Sequence, residues 1–223
     1  MGTLRKYELS QSGCNVFFET GTGTGASLEH AISNGGFDHY YSVEIHDETA
    51  RKAKAYFEGK KNVTILNGDS ASGLKEVLPK LSKSDKVFFF LDAHFSGEVS
   101  DKFCGYDEVE INKVNLPLEN ELELIRKMRP SSQDIVVVDD LRIYEDGEYE
   151  NGNLPVGMLN LPEAIRNIDF VYRIFAGHAI FRLFFDEGYL LIMSKGSTFS
   201  LKKLSKLYRF QRRVRRFFKL KGQ

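Results

Sequence analysis

Short apolar runs and longer amphipathic stretches take turns along the first two thirds of this chain. The runs are Val16–Phe18 leading into Glu19-Thr20, then His39–Val43, Val63–Leu66, Val87–Leu91 and Ile135–Val138. Between them, helical periodicity predicts Ala26–Asn34, closed by Gly35-Gly36, and a helix from an Asp47 N-cap to about Phe57. Two further helices are predicted, one from Ser70 to about Leu81 and one over Leu118–Met128. The fourth run, V-F-F-F-L, is apolar at every position, as a strand covered on both faces must be. Strands alternating with helices specify a mostly parallel, doubly wound α/β sheet of Rossmann-like type. Pro162–Asn167 reads as a short helix. Phe170–Met193 reads as β-rich, folding back at Asp186-Glu187-Gly188 as a C-terminal antiparallel hairpin.

In sheets of this kind ligands sit beyond the carboxyl ends of the strands. Each of the five predicted strands ends in an acid: Glu19, Glu44, Asp69, Asp92 and the pair Asp139-Asp140. Turn and capping chemistry accounts for any one of them. Five on one rim point to a ligand.

Composition narrows the setting. A chain of 223 residues with 42% hydrophobic positions fits one α/β domain with an appendage. Its two cysteines, Cys14 and Cys104, make no metal or disulfide pattern and suit a reducing cytosol. There is no apolar signal core and no run long enough to span a bilayer. The net charge of zero hides an asymmetry. Residues 196–223 hold ten of the 31 Lys and Arg and none of the 31 acids, leaving 21 bases against 31 acids elsewhere. The expected division is therefore a catalytic domain over 1–195 and a basic tail over 196–223.

After the first strand the chain reads E-T-G-T-G-T-G, from Glu19 to Gly25. Glycine there permits positive φ and close approach of a ligand to the backbone. The next helix offers its free N–H groups to that ligand. Two cofactors fit. Gly21, Gly23 and Ala26 satisfy the dinucleotide fingerprint, with Glu44 placed to hold ribose hydroxyls. The same residues resemble the first motif of the class I S-adenosylmethionine-dependent methyltransferases, and the resemblance extends over about Val16 to Lys195. It implies that Glu19, Gly21, Gly23 and Gly25 bind the cofactor, with Glu19 near its methionine part through water. It also implies that Glu44 takes the ribose hydroxyls and that Asp69 and Ser70 lie near the adenine. A nicotinamide enzyme would explain Glu44 but neither Glu19 nor Asp69.

The block L-D-A-H-F-S-G from Leu91, with L-P-L-E-N-E-L and V-V-V-D-D-L-R after it, resembles a bacterial methyltransferase group with an LDAH(Y/F)SG signature. More distantly it is similar to metal-dependent O-methyltransferases of catechols and macrolide sugars. That likeness implies a divalent metal, Mg²⁺, on Asp92, Asp139 and Asp140, which would lower the pKa of an acceptor hydroxyl. His94 is the implied base, working beside Asp92. In the related sugar enzymes that histidine stands three residues after the Asp; here the interval is two. The Asn-Pro-Pro-Tyr-like sequence of amine-methylating nucleic-acid enzymes is absent. The segments Glu98–Asn115 and Gly147–Gly157, with Tyr106, Tyr144 and Tyr149 in or near them, are expected to form lids suited to a polyhydroxylated acceptor.

From Leu201 apolar residues recur at 201, 204, 207, 208, 214, 217 and 218 among Lys and Arg, a basic amphipathic helix. Such a helix suits an anionic membrane surface. A nucleic-acid arm, a dock for an acidic partner, or packing on the acidic body are the other readings. The sequence thus predicts a cytoplasmic, metal-assisted O-methyltransferase acting on a sugar or glycan at the inner membrane face, with a homo-oligomer left open. The alternatives are an NAD(P)-dependent oxidoreductase, or a non-catalytic partner- or RNA-binding module.

Overall fold

The computed structural model describes residues 4–93, 116–154 and 166–204. Among them, seven strands form one sheet: β1 (Val16–Thr20), β2 (His39–Glu44), β3 (Val63–Asn67), β4 (Val87–Leu91), β5 (Ile135–Val138), β6 (Ala179–Leu183) and β7 (Tyr189–Met193). Their order is β3-β2-β1-β4-β5-β7-β6, parallel through β5, with β7 antiparallel to both of its neighbours. The helices are α1 (Ala26–Asn34), α2 (Asp47–Tyr56), α3 (Ser70–Val77), α4 (Leu118–Met128) and α5 (Asp169–Ile174).

Alternation along the strands feeds two cores. Val16, Phe18, Val87, Phe89, Val136 and Val138 meet Leu74 and Val77 of α3, Leu122 and Ile125 of α4 and Val171 of α5. Phe17, Phe88, Phe90, Ile135 and Val137 face the other way, onto Leu28 and Ala31 of α1 and Ala53 of α2. Each fully buried Phe or Leu contributes about 1.5–3 kcal/mol of transfer free energy, so a sheet sandwiched this way is the main stabilising term.

The second core also takes in both ends of the described chain. Leu4, Tyr7 and Leu9 pack there with Phe199 and Leu201. The Glu8 N–H donates to Lys202 O, the Leu204 N–H donates to Lys6 O, and Tyr7 and Lys203 form a β-bridge. Packing therefore continues to Leu204, and 201–204 run extended where the tail helix was expected to begin. The rest of the tail lies outside the described residues.

Three local differences from the sequence reading have physical causes. His46, not Asp47, caps α2, its ring accepting the Thr49 N–H. α3 stops at Val77 and a 3-10 turn over Leu78–Lys80 finishes it, because Pro79 supplies no N–H to continue the α-helical ladder. The segment expected to be β-rich from Phe170 begins instead with α5. Its aromatic and β-branched residues suggest a strand, yet Phe170, Val171, Ile174 and Phe175 recur at helical spacing. The hairpin itself turns at Asp186-Glu187-Gly188 as expected, with positive φ at Asp186 and Gly188. Most of the helix expected at Pro162–Asn167 lies outside the described residues, and Arg166 and Asn167 are not helical.

Candidate active site

The chain leaves β1 for β2 in one direction and returns to β4 on the other side, so the sheet's switch point lies between β1 and β4. Above it stands the glycine turn. Gly21 has φ 82°, and a Cβ there would lie 2.4 Å from the Asp92 carbonyl oxygen. A side chain at this position would push the β1 and β4 ends apart. Gly25, with φ 71°, is the N-cap of α1 and rests against the Phe57 ring. Gly23, between them, opens onto free space.

Two carboxylates support this turn from below. Glu44, 7% exposed at the end of β2, accepts the Gly23 N–H at one oxygen (2.8 Å) and the His46 N–H at the other (2.9 Å). Each oxygen keeps a further lone pair for a hydroxyl from above. Glu19 is fully buried. Its Oε1 accepts the Ser42 hydroxyl at 2.6 Å, and the Ser42 oxygen lies 2.6 Å from Thr22 Oγ1. Its Oε2 has no hydrogen-bond partner among the described residues. Burial raises the Glu19 pKa to about 8; the Ser42 hydrogen bond opposes this and the charge of Glu44 adds to it. A carboxyl left with an open oxygen beneath a glycine turn is a place for a hydrogen-bond donor or a cation.

The remaining expected residues are spread along the same rim. Asp69 caps α3, accepting the Ser72 N–H (2.9 Å) and hydroxyl (2.6 Å), and these bonds hold its pKa below the usual range. Ser70 follows it, buried. Asp92 closes β4, its N–H donating to Thr20 O at 3.1 Å. Asp139 is 2% exposed, and its N–H donates to Leu91 O. Asp140 has φ 55° and forms an ion pair with Arg142 (2.8 Å). Among the described residues no three His, Cys, Asp or Glu side chains stand where they could hold a metal ion. Asp140, one of the three expected Mg²⁺ ligands, is held here by the Arg142 guanidinium. His94 and the segment 98–115 lie outside the described residues.

A small cleft of about 10 Å³, room for one water molecule, opens beside this rim, lined by Leu91, Ala93, Leu118, Glu121, Val138 and Tyr144. Burial raises the Tyr144 pKa, and the charges of Glu121 and Asp140 add to that. Tyr149, expected in a lid, is instead a core residue packed on Phe184, and the backbone at Glu150 and Asn151 is tied to Phe184 and Asp186. Sequence reasoning missed Ser42 and Glu121. The signal for Glu121 was its place, three residues after Leu118 and one before Leu122, on the apolar stripe of α4.

No family model matches the chain, and no curated protein matches it. Solved structures do. The O-methyltransferase of Bacillus cereus in complex with S-adenosylhomocysteine superposes with a TM-score of 0.54 at 16% identity, covering 83% of this chain and 77% of that one. The S-adenosylhomocysteine-bound methyltransferase of Podospora anserina gives a TM-score of 0.50 at 15% identity, covering 81% and 72%. At such identities the likeness establishes the fold: a seven-stranded, Rossmann-like methyltransferase sheet with the reversed C-terminal strand.

Proposed function

We propose that this protein is an S-adenosylmethionine-dependent O-methyltransferase whose acceptor is a hydroxyl of a sugar or glycan. The observation that carries the reading is Glu19, a fully buried carboxyl with one open oxygen, two residues before Gly21 and linked through the Ser42 hydroxyl to Thr22 of the glycine turn. A nicotinamide dinucleotide would bring a pyrophosphate to that turn, whose charge would push the Glu19 pKa up further and leave its open oxygen without a cation. The ammonium group of a methionine moiety would instead lower that pKa and pair with the ionised carboxylate. The fold shared with proteins that hold S-adenosylhomocysteine supports the same cofactor.

When bound, S-adenosylmethionine supplies an electrophilic methyl group. The chain's own residues supply the rest. Glu44 is placed to receive ribose hydroxyls, already fixed by two backbone N–H groups. Gly21 lets the β1 and β4 ends close so that the cofactor and the Asp92–Ala93 segment lie side by side. Transfer to a hydroxyl oxygen releases its proton, and His94, next after the cleft residue Ala93, is the base assigned to receive it. The sugar or glycan class rests on the resemblance of the L-D-A-H-F-S-G block. Calorimetry tests the reading: S-adenosylhomocysteine should bind in the micromolar range and NAD should not bind. Tight binding of NAD with no response to S-adenosylhomocysteine would return the chain to the oxidoreductases.

A further inference from the structure

The two outer strands of the sheet, β3 and β6, are built differently. β3 exposes Thr64 and Asn67, both polar. β6 exposes aromatic rings. Phe181 is 46% exposed, Phe184, next after the strand, is 41%, and Tyr172 of α5, whose hydroxyl meets the Arg182 guanidinium, is 42%. These are three of the five large apolar side chains exposed among the described residues.

An open strand edge offers unused N–H and C=O groups, and soluble proteins guard it with charge, proline or a bulge. From Ala179 to Phe185 this chain has no proline and no lysine. Its single charge there, Arg182, is cancelled within the chain: Nε and Nη2 donate to the two Glu145 oxygens at 2.5 and 3.0 Å. No bulge interrupts the strand, which keeps register with β7 from Ala179 opposite Met193 to Leu183 opposite Tyr189.

Charge differs between the two ends of β6. Bases stand beside Ala179: Arg126 borders the same small pocket as His178, and exposed Lys195 comes two residues after Met193, the partner of Ala179. Acids stand beside Phe184: a Cβ on Gly147 would lie 2.9 Å from that ring, and exposed Asp146 and Glu148 flank this glycine. Antiparallel pairing of β6 with its own copy sets the basic end of each strand against the acidic end of the other. Parallel pairing would set like against like.

We propose that the β6 edge is the interface of a two-fold dimer of this protein, the two sheets joining edge to edge into one. With the axis at Phe181, the middle residue, the two Phe181 rings meet and Ala179 of each copy faces Leu183 of the other. The buried rings supply affinity and the end charges fix direction. β6 lies three strands from β4, so the glycine turns of both copies stay open. The proposal is independent of the methyltransferase reading.

Sedimentation of full-length wild type, F181K, E148K and the double exchange E148K/K195E tests it. Wild type should sediment as a dimer that dissociates on dilution. F181K should raise the dimer Kd at least about a hundredfold, as loss of a central aromatic anchor does. E148K should raise it about fivefold to thirtyfold, and the double exchange should return it toward wild type, because opposite signs again meet across the axis. Circular dichroism spectra should match wild type throughout. Wild type monomeric up to about 0.1 mM, assembly beyond dimers, or a dimer unmoved by F181K overturns the proposal. So does a loss in E148K that the double exchange fails to restore. If F181K does not fold, the charge variants, both at exposed positions, decide the matter.

Discussion

The two ends of the sheet carry similar residues and treat them differently. At the amino ends of β4 and β5, Asp134 accepts Arg129 Nε at 2.6 Å and the Val87 N–H at 2.9 Å, while Arg129 also reaches Asp85 O. Asp85 takes the Asn15 amide and the Ser82 N–H. The buried ion pair is saturated, and it clasps α4 to the sheet. At the carboxyl ends of β1 and β2, Glu44 meets two backbone N–H groups and Glu19 one hydroxyl, with an oxygen to spare. One rim spends its carboxylates on the fold; the other holds acceptor capacity in reserve. Acids at strand ends become informative once their partners are known.

The sharpest way to break this contrast is at the saturated rim. Arg129→Met leaves Asp134 buried without its cation and should cost about 3–5 kcal/mol of stability in urea unfolding. Affinity of the surviving folded protein for S-adenosylhomocysteine should not change. A variant as stable as wild type would show that the lower rim is no clasp.

The second prediction concerns Glu19 and pH. Its pKa is near 8 in the folded protein against an ordinary 4.5. The folded state therefore binds the proton more tightly, and this group's stabilising contribution, complete below pH 4.5, is lost as pH rises through 8. Between pH 5 and 9 the loss should be roughly 2–4 kcal/mol. Glu19→Gln, which cannot ionise, should flatten that fall. Parallel stability profiles for the two proteins would mean that Glu19 is not perturbed by its burial.

A third, smaller effect is expected at Glu44. Glu44→Ala should weaken S-adenosylhomocysteine by about 1.5–3 kcal/mol, the range for hydrogen bonds to a charged group, and lower Tm modestly because the Gly23 and His46 N–H groups lose their acceptor. A large drop in Tm with affinity preserved would place Glu44 among the structural acids. The smallest effect lies off both rims. Removing residues 205–223, which hold eight Lys and Arg, should leave Tm and cofactor affinity unchanged and abolish binding to anionic vesicles. Vesicle binding by the shortened chain would remove the membrane role from the tail.

How much of this was legible before the structure depended on range. Val87–Leu91, Leu118–Met128 and Ile135–Val138 fall where apolar periodicity puts them, because local burial pattern decides a strand or helix of that strength. The glycine turn was legible too, since few other sequences tolerate its backbone. Partner choice was not. Nothing in L-P-L-E-N-E-L names the wall that Glu121 lines. The Ser42 hydroxyl meets Glu19 only because β1 and β2 pair with those two residues in register. Tertiary register creates such contacts, so a single sequence reveals the donors and acceptors without the bonds.

The strap joining residues 6–8 to residues 202–204 has a consequence for biosynthesis. Tyr7 is buried with its hydroxyl on Asp186 at 2.9 Å, 179 residues away, and Lys6 and Lys203 flank the same spot. A ribosome delivers the first of these residues long before the last. Tyr7 is also where α1 is moored, through His30 Nε2 to its carbonyl oxygen at 2.7 Å. The helix that begins at the glycine turn thus waits for the final hairpin before it gains its full support. A nascent chain stalled before residue 186 has every glycine of the turn in place and should still fail to hold a ligand there.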